Sequence, residues 1–156
     1  MNIYEYQRAV GKIEDISDLR NEFIAAYDTK SHKDAVRFCL LYGRHISERT
    51  GFEPCGEIVG AFGAVQKWID GKTSYREARN FPIWKLAREA KDPIRIKFYR
   101  TMTQIACSPH VKYHALWATD FAVTLINKMY PGNMDEVKRE RGFQIELMRS
   151  METFFR

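Results

Sequence analysis

Two histidines one helical turn apart, His110 and His114, have the spacing that best suits metal chemistry in this chain. Side chains at positions i and i+4 project from the same face of a helix, as two zinc ligands on one helix do. Asp120 offers a carboxylate, but it lies about 120 degrees around the helix from His114. Val111 stands where the HExxH motif has its glutamate. A metal-dependent hydrolase is therefore one hypothesis. In the alternative, His110 lies at the surface and His114 packs in the core, donating to a carbonyl or a carboxylate.

A thiol and an imidazole also lie close together, at Cys107 and His110, and such a pair can serve nucleophilic catalysis. A thiolate at Cys107 would be stabilised if a helix began there. The other interpretation makes Cys107 the buried end of the preceding helix, and no nucleophile-elbow motif accompanies it. The chain has three cysteines and no CxxC pair, which argues against a disulfide framework and a cysteine zinc site. Phosphate-loop and dinucleotide-binding motifs are absent as well, so we expect no cofactor.

Positive charge is concentrated in one segment. Residues 73–112 hold nine Lys or Arg and three Asp or Glu, a balance of +6, against +5 for the whole chain. Such a segment can attract phosphate or an acidic protein surface, and it can equally be an ordinary solvated face. Phe81, Trp84 and Tyr99 interleave with the basic residues, as platforms for stacking nucleic-acid bases would. A second hypothesis is therefore a nucleic-acid-binding protein that uses residues 73–112, although no helix-turn-helix pattern is present.

Asp120 needs a partner if its helix is buried, because an unpaired buried charge is very costly. The basic segment supplies three candidates, Arg79, Arg88 and Arg100. We expect an arginine of this segment to pair with Asp120 and to tie the segment to the central helix. Such a pair would stabilise the fold and would take no part in a reaction.

These residues are positioned by a predicted central helix over about residues 109–130. Ser108 is a suitable N-cap, and Pro109 fits the first turn of a helix. Two adjacent apolar stripes follow, which is typical of a helix covered on most sides. The first stripe is Val111, Ala115, Ala118, Ala122, Leu125 and Met129, and the second is His110, His114, Trp117 and Phe121.

The rest of the chain also shows helical spacing, without convincing strand alternation. Ser31 and Asp92 are suitable N-caps, Gly51 should end a helix, and Pro82 should break one. With 156 residues, of which 45% are hydrophobic, the chain is long enough for one packed core. We therefore predict an all-α fold, in which residues 1–156 form a single-domain bundle of six or seven helices around the central one.

Two further patterns predict packing. Gly56, Gly60 and Ala64 share a helix face, and glycines on one face usually let another helix approach closely. The last helix should bury the stripe Phe143, Leu147, Met151 and Phe154.

Location can be predicted only broadly. Apolar runs are short and broken by charge, which argues against a membrane-spanning helix. The first twenty residues include seven charged ones and leave no room for the apolar core of a signal peptide. We expect a cytoplasmic protein.

A spaced pattern of single residues over about residues 35–150 resembles an all-helical family of bacterial immunity proteins. The pattern is Trp68, Gly71-Lys72-Thr73, Glu77-Ala78-Arg79, Leu86-Ala87-Arg88, Asp92-Pro93, His110-Val111, His114-Ala115, Arg141-Gly142-Phe143-Gln144 and Leu147. The recurring family positions match Ala78-Arg79, Ala87-Arg88 and His110 to Ala115. The chain departs from the family at Pro82, where a continuous helix is usual, and in using bulkier aromatics where alanine is common.

The resemblance implies a non-enzymatic protein that binds its own cell's toxin and neutralises it. The contact residues it suggests, together with those from the central helix, are His110, His114, Arg79, Arg88, Asp120 and Trp117. Because the chain is basic, it suits a toxin with an acidic contact surface, or a contact made through another face. Identity of the neighbouring gene would be the most informative observation.

Overall fold

The computed structural model describes residues 3–152, and every element in them is helical. The α-helices are α1 (Ile3–Tyr6), α2 (Ser17–Asp28), α3 (His32–Thr50), α4 (Gly56–Ile69), α5 (Ile83–Glu89), α6 (Pro93–Cys107), α7 (Tyr113–Met129) and α8 (Met134–Ser150). A 3₁₀ helix, Tyr75–Asn80, lies between α4 and α5. The all-α prediction is confirmed, with more helices in this range than the six or seven expected.

Helix ends follow the capping signals at several places. The Ser31 hydroxyl accepts a hydrogen bond from the Asp34 N–H at 3.1 Å, which satisfies a free donor at the start of α3. Gly51 ends that helix in the left-handed region, at φ 75°, where glycine is favoured. The carboxylate of Asp92 accepts from the Ile94 N–H at 3.2 Å, with Pro93 in the first turn of α6.

The predicted break at Pro82 is present, and it explains one glycine of α4, Gly60. The 3₁₀ helix ends at Asn80, and α5 begins at Ile83. Between them, the Phe81 ring lies so close to Gly60 that a Cβ at Gly60 would overlap it, whereas Gly63 has open space. At Gly60 the close approach is therefore made by one aromatic ring at the end of the 3₁₀ helix, which packs against α4, whereas Gly56 has open space.

The predicted start of the central helix is wrong by one turn. Ser108 follows the last residue of α6, and its buried hydroxyl donates back to the Ile105 carbonyl at 2.7 Å. Buried Pro109 lies in the turn that leads to α7, which begins at Tyr113. A Ser-Pro pair after a helix can thus end that helix instead of starting the next one. The central position itself is confirmed, since α7 is buried continuously from Ala115 to Asp120 and packs against α1, α3, α6 and α8.

The last helix buries a different face from the predicted one. Phe143 is 39% exposed, and the buried positions of α8 are Val137, Glu140, Arg141, Gln144, Ile145 and Met148. Half of this inward face is polar, so the apolar spacing of α8 predicted the burial of a neighbouring face instead. Leu147 and Met151 are half-buried, and Phe154 lies outside the described residues.

One large core cluster includes residues from α2, α3, α4, α5, α6, α7 and α8. Aromatic side chains such as Phe23, Tyr27, Phe38, Tyr42 and Phe98 fill its centre. Among residues 3–152, no helix is both long and apolar enough to cross a membrane.

Candidate functional site

The two histidines of the central segment lie side by side but have different surroundings. His110, in the turn before α7, is exposed, and its ring stacks on that of Tyr75 with centroids 4.6 Å apart. His114, in the first turn of α7, is half-buried, with its Nδ1 2.7 Å from the Gln104 side-chain oxygen of α6. Burial, and then the neighbouring His110, lower the pKa of His114 to about 4. His114 is therefore neutral near pH 7 and donates its Nδ1–H to Gln104.

The rings of Tyr75, His110, His114 and Trp117 form a row, and Trp117 is its buried end. It is 9% exposed, and its indole N–H donates to the Gln7 carbonyl at 3.0 Å. Its ring lies 4.4 Å from that of Tyr113 and meets His114 edge-on at 5.5 Å. Trp117 holds the N-terminal segment on α7 and offers little surface to a partner.

At the exposed end of this row, cations surround Tyr75. The guanidinium groups of Arg76 and Arg79 lie 4.8 and 5.3 Å from its ring centroid. Both arginines are exposed, and neither has a carboxylate within 4.0 Å among the described residues. Tyr75, His110 and Arg79 therefore form an aromatic, cationic surface patch, which we call the Tyr75 patch.

An apolar pocket of about 120 Å³ opens beside the Tyr75 patch. All three residues of the Tyr75 patch line one side of this pocket. The other walls come from the 3₁₀ helix, α5 and α6, and they include Ala78, Phe81, Pro82, Ile83, Trp84 and Cys107. Burial raises the pKa of the Cys107 thiol, although the charge of Arg79 acts in the opposite direction. Cys107 is the last residue of α6, so it is not at a helix start where a thiolate would be stabilised.

Asp120 is placed in the interior, where two arginines hold it. Its carboxylate accepts from Arg20 Nε and Nη2, both at 2.9 Å, and from Arg141 Nη2 at 2.7 Å. The expected partners Arg79, Arg88 and Arg100 are all exposed, so the prediction that the basic segment supplies the partner is wrong. The cations come instead from α2 and α8, two helices that pack against each other.

This arrangement extends into a larger group, which we call the ion-pair cluster: Arg8, Asp15, Arg20, Asp120 and Arg141. Arg141 Nη2 lies 2.6 Å from Asp15 Oδ2, and Arg8 also pairs with Asp15. Burial alone would raise the pKa of Asp15, but hydrogen bonds from Arg141 and Arg8 lower it to about 2. Every member of the cluster has an opposite charge in contact, as buried charges require.

Sequence reasoning missed Arg8, Arg20 and Arg141 as partners of Asp120, and it missed Asp15 as the second carboxylate that Arg8 and Arg141 share. One signal was available, because Arg141 and Gln144 belong to the motif that carries the family resemblance. In the structure, Arg141 Nη1 donates to the Gln144 side-chain oxygen at 3.0 Å, and both residues are fully buried. The motif thus marks the polar inward face of α8.

A second buried polar group on α8 involves Glu140. Its carboxylate accepts from the Tyr42 hydroxyl, and His45 Nε2 lies 3.0 Å from Oε2. Arg49 Nε lies 3.0 Å from Oε1. The Phe143 ring of α8 stacks on the His45 ring of α3, with centroids 3.7 Å apart, and it stays partly exposed there.

The geometry bears directly on the metal hypothesis. Among residues 3–152, no group of three or more His, Cys, Asp or Glu side chains is arranged to hold a metal ion. His114 uses its Nδ1 in a hydrogen bond to Gln104, and Asp120 uses both carboxylate oxygens in hydrogen bonds from Arg20 and Arg141. What the exposed residues offer is a surface for recognition, made of stacked rings, cations and a small apolar pocket.

Comparison with known proteins gives one match. The model of a family described as "Imm-5 like putative immunity protein" matches residues 25–151, which is most of the chain. No curated protein and no solved structure matches the chain.

Proposed function

Because the chain belongs to the Imm-5 like immunity protein family, we propose that it binds a cognate bacterial toxin and neutralises it, without catalysing a reaction itself. The encounter is proposed to take place in the cytoplasm of the producing cell, where a toxin must be met before it does harm. We further propose that the toxin is a protein held by surface contacts.

The Tyr75 patch is the observation that supports a binding role most directly. Tyrosine, tryptophan and arginine are the residues that most often dominate binding energy at protein interfaces. Here Tyr75 is pre-ordered by the His110 ring and flanked by Arg79, so little side-chain freedom would be lost on binding. Arg79 also lacks a carboxylate partner within the described residues, and an acidic group on the toxin would supply one.

The suggested contact residues separate into two groups by burial. His110, Arg79 and Arg88 are exposed and are proposed to touch the toxin. Asp120 is fully buried and Trp117 nearly so, and we assign them the role of holding α7 in place. His114 supports the patch from behind, by fixing the start of α7 to α6 through Gln104.

The test is co-expression with the toxin encoded beside the gene, scored by survival of the cells and by co-purification of the two proteins. Wild type should protect and form a stable complex. A double variant of the patch, Tyr75→Ala with Arg79→Glu, should weaken both effects at least tenfold.

Arg44→Glu is the control, because Arg44 is exposed on α3 and has no carboxylate within 4.0 Å among the described residues. It should behave as wild type. If the wild-type protein neither protects cells nor forms a complex, the proposed function is wrong. If the patch variant and the control protect equally, the Tyr75 patch is not the contact.

A further inference from the structure

A long depression follows one exposed side of α6, beginning at the apolar pocket. Lys97, Arg100, Gln104 and Cys107 recur at steps of three and four, so they share one helix face. This face is flanked on one side by α5 and on the other by residues 9–14 and the later part of α7.

Three adjoining hollows make up this depression. The apolar pocket shares Trp84 and Thr103 with a second hollow of about 470 Å³. That hollow shares Gly11, Lys97 and Arg100 with a third, open one of about 930 Å³. The shared lining residues show that the three hollows adjoin one another, and we call the whole depression the α6 trough.

The trough carries an excess of unpaired positive charge. Lys12, Arg88, Lys97, Arg100 and Lys128 line it, and among the described residues none of them has a carboxylate within 4.0 Å. Glu14 is the single acid among the described lining residues. Burial, and then the charges of Arg100 and Lys128, lower the pKa of Lys97. Cations held this close in a hollow repel one another, and an anionic occupant would relieve that repulsion.

We propose that the α6 trough receives an acidic segment of the toxin, with one apolar side chain of that segment inserted in the pocket at the Trp84 end. This inference rests on the proposed function, and it names the chemistry of the partner and the place where it docks. The carboxylates lie along Arg88, Lys97 and Arg100. The apolar side chain fills the hollow between Phe81, Ile83 and Trp84.

An acidic polypeptide fits this trough better than a nucleic acid does. Binding of single strands relies on a row of exposed aromatic platforms. Of the three proposed platforms, Phe81, Trp84 and Tyr99, only Trp84 is exposed, at 50%; Phe81 lies against Gly60, and Tyr99 packs edge-on against Phe98. The nearby Tyr75 ring is already stacked on that of His110. The pocket is also close in size to a cavity of roughly 150 Å³ that takes one benzene ring, which suits a single aliphatic or aromatic side chain.

The charge of the trough can be tested with two double variants of equal net charge. Arg88→Glu with Arg100→Glu reverses two trough cations, whereas Arg44→Glu with Lys138→Glu reverses two exposed cations outside it. Affinity for the toxin from the neighbouring gene is measured by calorimetry, at low and high salt. The trough variant should raise Kd at least tenfold and weaken its salt dependence, and the control should change Kd less than threefold.

The apolar end is tested separately by Trp84→Ala. Leu41→Ala is the matched control, since Leu41 is 41% exposed and lies outside the trough. The Trp84 variant should weaken binding at least tenfold, and the control should leave it unchanged. Circular dichroism of each variant establishes that the helices remain folded.

The outcomes separate the two proposals. If the toxin binds wild type and both charge variants equally, the trough is not the docking site, although the proposed function stands. If the toxin does not bind wild type at all, the proposed function fails. The proposal that the trough binds an acidic segment is then tested with two probes of equal charge. One is a twelve-residue glutamate peptide with a central leucine, and the other is a single-stranded oligonucleotide. Tighter binding of the peptide, lost in the Arg88/Arg100 variant, supports the trough; tighter binding of the oligonucleotide, or binding of neither probe, overturns it.

Discussion

The ion-pair cluster and the α6 trough handle charge in opposite ways. In the cluster, Asp120 and Arg141 have fully buried side chains 2.7 Å apart, and each has further hydrogen-bonding partners. In the trough, Lys97 and Arg100 lie beside other cations, and neither has a carboxylate within 4.0 Å among residues 3–152. The same residue type, arginine, is thus satisfied within the fold at one place and left unsatisfied at another. The comparison indicates that pairing, more than position in the sequence, separates structural charges from those available to a partner.

The largest expected effect comes from removing an arginine of the cluster. Arg141→Met leaves Asp15 and Asp120 without their shared partner, and breaking a buried ion pair costs about 3–5 kcal/mol. Urea unfolding followed by circular dichroism should show that loss. Arg139→Met, at an exposed position of the same helix, should change the free energy of unfolding by less than about 0.5 kcal/mol. Equal changes in the free energy of unfolding would mean that Arg141 in the cluster contributes no more to stability than the exposed Arg139 does.

Acid should weaken the cluster through Asp15. The pKa of this carboxyl is about 2 in the folded chain, below the value of about 4 expected when unfolded. Between these values the unfolded state binds more protons, so the stability that Asp15 contributes is present above about pH 4 and is lost as pH falls toward 2. Asp15→Asn should therefore be about 2 kcal/mol less stable than wild type at pH 7, and the gap should close near pH 2. A gap that stays constant with pH in urea unfolding would show that the ion pair is not its source.

Packing at the wall of the trough can be perturbed through two glycines of α4. Gly60→Ala places a methyl group against the Phe81 ring, and overpacking of this kind costs about 1–3 kcal/mol. Gly63→Ala meets open space and should stabilise the helix by up to about 1 kcal/mol. Thermal unfolding of the two variants should move in opposite directions. Stabilisation by both would show that the Phe81 wall yields easily and that the trough is not preformed.

The smallest effect on stability is expected in the trough itself. Arg100→Met removes one of several neighbouring cations, so the free energy of unfolding should stay constant or rise by up to about 0.5 kcal/mol. The identical substitution at Arg141 is the direct contrast, and both are measured in the same urea titrations. A loss above 1 kcal/mol at Arg100 would place this arginine with the structural charges and remove the contrast on which the trough proposal depends.

Local signals predicted much of the fold. Ser31, Gly51 and Asp92 act at helix ends as expected, because capping depends on a few neighbouring backbone groups. Ser108 failed as an N-cap because its hydroxyl donates to the preceding helix, and both arrangements have the same local sequence. Local reasoning cannot separate them without knowing which side of the turn is buried.

The polar interior could not be predicted from periodicity. The buried face of α8 carries Glu140, Arg141 and Gln144, which any hydropathy pattern assigns to solvent. Their partners lie far away in sequence, such as Asp15 for Arg141 and Tyr42 for Glu140. For the same reason, the need of Asp120 for a cation was foreseen but its partners were not. The exposed candidates His110, Arg79 and Arg88 remain predictions for the binding site.

The ion-pair cluster also has a consequence for how the chain is made. Asp15 and Arg141 are 126 positions apart, so the pair cannot form until α8 has left the ribosome. Contacts of such long range slow folding relative to local helix formation. A chain that stops before α8 leaves Asp15 and Asp120 without Arg141, and an incompletely folded product of this kind is exposed to proteolysis. Stable folding is therefore expected only of a chain that includes α8.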